Sequence, residues 1–258
     1  MAAARRAAAG DDAAAAVLLS GPEVTRERLL GALTQLADAA VPADEVTLML
    51  LGHGSYDGEN YKFNLHGPDV TDTELVAKLA AVTARRQLVV VATSASGALL
   101  RKLDDGGRVL ISATKSGGEI NAVRFPEFWI QALSSEMADL DHNELLTVEE
   151  AFEFAETRVN DHYTNQNQLA TEHPRLLNPR GEVITLARLG SLRGHENNPQ
   201  VNRLLEERLI LENDFQRLRA RKSDMRAGEF YDALERIVLQ LARLQIRIDD
   251  ATGWQRDG

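Results

Sequence analysis

Residues 87–99, QLVVVATSASGAL, constrain the fold more than any other stretch. Leu88, Val89, Val90 and Val91 are consecutive apolar residues, three of them β-branched. A strand without polar alternation is buried on both faces, as in a parallel sheet covered by helices. The run ends in small residues, Ala92 to Gly97, and a helical pattern starts at Ala98. Strand carboxyl ends beside helix N-termini are where α/β proteins hold their chemistry. Ser94 stands at that point, so its role becomes the central question.

The rest of the chain repeats the alternation. Val17 to Leu19 form a short apolar run, and Pro22 breaks it. Thr25 can cap a helix reaching about Ala40, with Leu29, Leu30, Leu33 and Leu36 inward. Residues 45–51 (EVTLMLL) read as a second strand ending in Gly52-His53-Gly54-Ser55, and 55–70 as loop. Thr71 and Glu74 have capping-box spacing and open a helix to about Val82. A further strand is expected over 108–113, and helices over 125–135 and 148–162. Thr147 and Glu150 repeat the capping box, and residues 163–200 are polar and irregular.

From Phe230 onward, Phe230, Leu234, Ile237, Leu241, Leu244 and Ile248 are spaced alternately four and three apart. That is a heptad seam. Leu204, Leu211, Phe215, Leu218 and Met225 give a matching stripe before the break near Gly228. Two antiparallel helices of ~20 residues and ~30 Å each make a hairpin. It can pack on its own domain, or serve as a dimerisation or partner-binding arm.

Together these patterns predict a three-layer α/β domain over 17–198, with a mainly parallel sheet and flanking helices. A C-terminal antiparallel helical hairpin over 199–250 and a tail over 251–258 follow. Residues 1–16 are alanine-rich, and Asp11 and Asp12 make them a poor signal peptide. They read as a mobile leader.

Charge and cysteine usage narrow the function. Residues 201–258 hold 11 basic and 11 acidic residues, so the net charge of −10 resides in 1–200. A general nucleic-acid surface needs clustered positive charge and is not expected. No apolar run approaches the ~18 residues of a membrane span. The chain has no cysteine, which excludes disulfides, Cys-ligated zinc and a thiol nucleophile. Gly52, Gly54 and Gly58 do not make G-x-G-x-x-G, and no Walker A sequence occurs.

Two constellations remain. In a parallel sheet, neighbouring strands would bring His53 and Ser94 to the same edge, a base beside a hydroxyl. Taken alone, His53 reads first as a turn histidine that stabilises loops. The second constellation is residues 139–150, DLDHNELLTVEE. On a twelve-residue EF-hand loop, Asp139, Asp141 and Asn143 take positions 1, 3 and 5. Leu145 offers its carbonyl at 7, Thr147 sits at 9 and Glu150 is the carboxylate at 12. Such a ring of hard oxygens suits Ca2+. Glu144 takes the sixth position, where glycine normally permits the turn, at a strain of ~1 kcal/mol. The competing reading is an acidic helix–loop–helix in which Thr147 and Glu150 only cap.

The ordered set of LLGHGS at 50–55 and SASG at 94–97 resembles the caspase and legumain clan of cysteine peptidases. NLHGPDVTDTELV, GRVLISATKSGGE, VRFPEFWIQAL and TEHPRLL look like its bacterial legumain-related branch, as do the acidic loop and helical tail. The resemblance implies a caspase-like fold, His53 and Ser94 at the dyad positions, and a cleft near Gly54, Ser96, Gly97, Lys115, Ser116 and Arg124. Two departures matter. Ser94 stands where the pattern has cysteine, and only the leader stands where the family's first strand and helix would precede Val17. Relatives of this branch are often exported, whereas this start carries no usable signal.

A thiol with pKa ~8.5 is partly ionised near neutral pH, and a serine hydroxyl is far less acidic. Ser94 would need a well-aligned base, and Ala92 replaces the first glycine of a Gly-x-Ser-x-Gly elbow. The expectation is therefore a peptidase homologue without activity, acting as a binding or scaffold protein. An active Ser94–His53 hydrolase and a calcium-responsive interaction module are the alternatives. His162 and His173, in polar segments, are expected to be solvent-exposed.

Overall fold

The computed structural model describes residues 2–8 and 11–253, with side chains from residue 16 onward. By contacts the chain divides into two compact units, Met1–Gln131 with Phe152–Arg180, and Ala132–Ala151 with Gly181–Gly258.

The first unit is α/β. Strands β1 (Ala2–Ala8) and β2 (Asp11–Leu19) precede helix α1 (Arg26–Ala39) and β3 (Glu45–Leu51). Three short strands follow, β4 (Gly54–Tyr56), β5 (Tyr61–Phe63) and β6 (Val70–Thr71). Then come α2 (Asp72–Ala80), β7 (Arg86–Ala92), α3 (Ser96–Leu103), β8 (Val109–Ser112) and α4 (Phe125–Ala132). Strand β9 (Leu145–Thr147) belongs to the second unit, and the chain returns within α5 (Val148–Asn165) to reach β10 (Arg175–Leu177).

The main sheet runs β10-β8-β7-β3-β1-β2. β7 is central and pairs in parallel with both β3 and β8. Its residues 88–92 are all buried, as the unalternated apolar run requires. β3, by contrast, alternates, with Val46, Leu48 and Leu50 buried. On one face Leu48, Leu50, Val89, Val91 and Leu110 share a core with Leu29 and Leu33 of α1, Leu75 and Leu79 of α2, and Leu99 and Leu103 of α3. Leu88, Val90, Val109 and Ile111, of opposite strand parity, are buried as well.

The sheet is mixed rather than mainly parallel by pairing, because β10, β1 and β2 each pair antiparallel. Residues 2–8 and 11–16 lie in strands, where the sequence reading expects a mobile leader. The physical reason is the edge of β3: its unpaired backbone groups are satisfied by residues 2–7. Residues 55–70 are also more than loop, since β4, β5 and β6 form a small antiparallel sheet.

The local helix signals are realised as drawn. The Thr25 hydroxyl accepts the Arg28 N–H at 3.3 Å. Thr71 and Glu74 complete both halves of their capping box. The first residue of α2, Asp72, is buried; it accepts the Tyr61 N–H at 2.6 Å and pairs with Lys102 at 2.7 Å. Burial raises its carboxyl, but the Lys102 and Tyr61 hydrogen bonds outweigh this and hold it below the ordinary range.

The second unit holds β9, its antiparallel partner β11 (Thr185–Arg188), and helices α6 (Pro199–Ala220) and α7 (Ala227–Thr252). Asn198 caps α6, and Pro199 occupies its first turn. Arg208 bonds Gln245, and Arg247 pairs with Glu207 at 2.8 Å, so α6 and α7 run antiparallel. Leu204, Leu244 and Ile248 form a core with Leu145, Leu192 and Val201. Loop 139–150, assigned from sequence to the α/β domain, thus groups with the hairpin. Of the expected tail, 251–253 close α7 and 254–258 lie outside the described residues. No helix among the described residues is long and apolar enough to cross a membrane.

Candidate functional site

Ser94 lies just past the carboxyl end of β7, in the tight turn that opens α3. The next residue, Ala95, is left-handed at φ 55°. A non-glycine residue there costs about 1–2 kcal/mol, so surrounding contacts must hold the turn. The Ala95 N–H donates to the Glu119 carbonyl at 2.8 Å. The Thr114 hydroxyl accepts the Gly97 N–H at 3.0 Å, and the Ser96 hydroxyl accepts the Thr114 N–H at 3.1 Å. Thr93 donates to the Ser94 carbonyl at 3.0 Å, and its hydroxyl lies 2.7 Å from the buried Tyr61 phenol. Burial pushes that phenol well above its usual range, so it stays protonated and able to donate.

Two glycines allow this packing. A Cβ on Gly54 would lie 2.5 Å from the Ser94 carbonyl oxygen and 2.6 Å from the Tyr61 ring. A Cβ on Gly97 would lie 2.3 Å from the Ser116 nitrogen. The loop after β8 therefore sits against the first turn of α3, and the residue after His53 sits against the Ser94 turn.

This contact decides the state of Ser94. Its Oγ donates to the Gly54 carbonyl at 2.9 Å and accepts the Gly54 N–H at 3.3 Å. The side chain is nearly enclosed, with the residue 5% exposed. His53 is exposed; its carbonyl accepts the Asn64 N–H at 3.0 Å, while its ring makes no hydrogen bond among the described residues. Ser94 and the segment of His53 are thus joined through the Gly54 backbone, not through a hydroxyl–imidazole bond.

Of the expected cleft residues, Gly54, Ser96, Gly97, Lys115 and Ser116 surround the turn. Ser116 accepts the Gly118 N–H at 3.3 Å. Glu119, which sequence reasoning missed, ties this loop together. It accepts the Lys115 N–H at 2.9 Å, the His173 N–H at 3.1 Å and a hydrogen bond from His173 Nδ1 at 2.5 Å. Burial raises the Glu119 carboxyl, but these donors together lower it below its ordinary value. His173 is accordingly half-buried and paired, not a free surface histidine. His162 is also half-buried, edge-on to Tyr163 at 5.4 Å.

Arg124 serves by its backbone. Its N–H and that of Phe125 donate to the buried Glu172 carboxylate at 2.6 and 3.1 Å, and the Tyr163 phenol donates at 3.1 Å. Desolvation raises the Glu172 carboxyl. The sequence signal for Glu119 is a carboxylate inside a stretch of small residues, and Glu172, within the polar segment 163–200, has no such signal.

Loop 139–150 adopts the tight turn its spacing predicts. Glu144 has φ 63°, the left-handed geometry that glycine normally supplies at that position. Asp139 accepts the Asn143 and Glu144 N–H groups at 3.1 and 2.8 Å, and Asn143 accepts the Leu145 N–H at 2.7 Å. Glu144 itself points away, accepting the Ser191 N–H at 3.0 Å and its hydroxyl at 2.5 Å. One oxygen from each of Asp139, Asp141 and Glu150 lies within 4.8 Å of the others. The Asp141 carboxyl is pushed up to about 6 by lost solvation first and the Glu150 charge second. The donor set, all hard oxygens, fits a divalent cation such as Ca2+. Thr147 meanwhile donates its hydroxyl to Glu150 at 2.7 Å, so the capping role is realised. Leu145 buries its side chain and lies in β9.

In comparisons with known proteins, no family model matches this sequence, and no curated protein matches it.

The Gly54 contact makes a measurable demand. Gly54→Ala should lower folding stability by ~3 kcal/mol, the upper range for overpacking. Gly31→Ala, in an exposed turn of α1 with nothing near its Cβ, should raise it by ~0.5–1 kcal/mol. Urea unfolding of both variants checks the pair.

Proposed function

We propose that the chain is a catalytically inactive homologue of the caspase and legumain clan, acting as a binding or scaffold protein. The observation that carries this reading is the double hydrogen bond between the Ser94 hydroxyl and the backbone of Gly54. A serine nucleophile needs its proton aimed at a base that is itself held in place. Here the proton goes to a carbonyl oxygen, and His53 is exposed with no second group to orient its ring among the described residues. The Gly54 and Gly97 approaches, the Ser94 position at the end of a central parallel strand, and the order of HGS and SASG all support a caspase-like ancestry.

A peptidyl or fluoro-phosphonate, which traps activated serines, tests this directly. Intact-mass measurement should find no adduct on the native chain. An adduct on Ser94 that disappears in His53→Ala would establish the competing reading, an active Ser94–His53 hydrolase.

The carboxylate cluster favours a second property of the same chain. Loop 139–150 binds Ca2+ through Asp139, Asp141, Asn143 and Glu150, with the Leu145 carbonyl and Thr147 at the remaining positions, and the ion steadies the second unit. Millimolar Ca2+ should raise the melting temperature, by ~2–4 °C per kcal/mol of binding. Glu150→Gln keeps a capping-box side chain but removes the charge, and should abolish the rise. No rise in the native chain, or an undiminished one in the variant, would contradict the site. The hairpin supplies the interaction surface of the scaffold, including contact between copies of the chain.

A further inference from the structure

The distal part of the hairpin carries a groove of about 430 Å3 between α6 and α7. Leu218 and Ile237 give it apolar area, and Arg217, Arg221, Arg236 and Asp214 give it charge. Arg217 is 3.1 Å from Asp214. Arg221 and Arg236 meet no carboxylate among the described residues. Residues 217–226 hold five cations and one carboxylate, in a chain whose net charge is −10.

This charge restricts what can cover the groove. A symmetric contact of groove on groove sets arginines against arginines, a like-charge juxtaposition that selects against the pairing. A stripe of complementary charge lies on α5. Glu153 and Glu156 are one turn apart on a side of the helix that reaches solvent, and neither pairs with a cation among the described residues. Glu149 continues the same stripe.

We propose that the arginine groove of the hairpin docks the α5 glutamate stripe of a second copy of this chain, head to tail. Such a contact leaves one groove and one stripe open at the ends, so it repeats into a ring or filament. The inference rests on the reading of the hairpin as a surface for contact between copies, and narrows it to one charged pairing.

Sedimentation velocity of the full chain tests it. Species larger than one chain should form at ~0.02 M salt and dissociate at ~0.5 M, where exposed charges are screened. The double variants R221E/R236E and E153K/E156K should each sediment as monomers. Their equimolar mixture should associate again, because each then offers the other a complementary surface. A mixture that stays monomeric overturns the proposal. Association that ignores salt and both reversals also overturns it, while leaving hairpin contact between copies standing. A monomer under every condition overturns both.

Discussion

The first unit depends on how closely two strand ends approach. β3 and β7 are parallel neighbours, so their carboxyl ends arrive side by side at Gly54 and Ser94. The approach is too close for any side chain at position 54. The Ser94 hydroxyl then closes it, giving a proton to one Gly54 backbone group and accepting one from the other. Hydrogen bonds of this kind are worth about 1 kcal/mol each. Together with the Ala95–Glu119 bond, they offset the left-handed strain at Ala95. A thiol is a weak donor and a weak acceptor, so this clasp is a property of serine. On the proposed reading, the residue that weakens the nucleophile is also the one that fastens the turn.

The local parts of this architecture were legible in the sequence. Thr25, Thr71 and Glu74 act within one turn of helix, and their roles follow from spacing alone. The bounds of β3 and the continuous burial of β7 follow from their apolar patterns. The strain at Glu144 was legible because one position in the loop demands a left-handed residue. What was hidden depends on partners far along the chain. Glu119 meets His173, and Glu172 meets the N-terminus of α4, across separations no local pattern reports. The strands at 2–8 and 11–16 lack any apolar alternation, since alanine is neutral to it; the edge of β3 recruits the first, and the first pairs the second. The small sheet β4-β5-β6 consists of strands too short to carry a period.

The second unit joins loop 139–150 to the hairpin by packing. Leu145 lies in one core with Leu204 of α6 and Leu244 and Ile248 of α7. Glu144 holds Ser191 from the other side of its turn. Any change in the loop's charge is therefore felt by residues that position the helices. The Asp141 carboxyl is raised first by lost solvation and second by the Glu150 charge beside it. Arg208, whose charge acts on Asp141, belongs to α6 and bonds both Glu212 and Gln245.

The Ser94 proton belongs to Gly54 and not to His53. NMR of the hydroxyl proton measures this directly. A slowly exchanging Ser94 hydroxyl with a cross-peak to the Gly54 amide, unmoved as the His53 ring is titrated, is the predicted result. A hydroxyl proton that correlates with the His53 ring and shifts with its protonation would contradict the account.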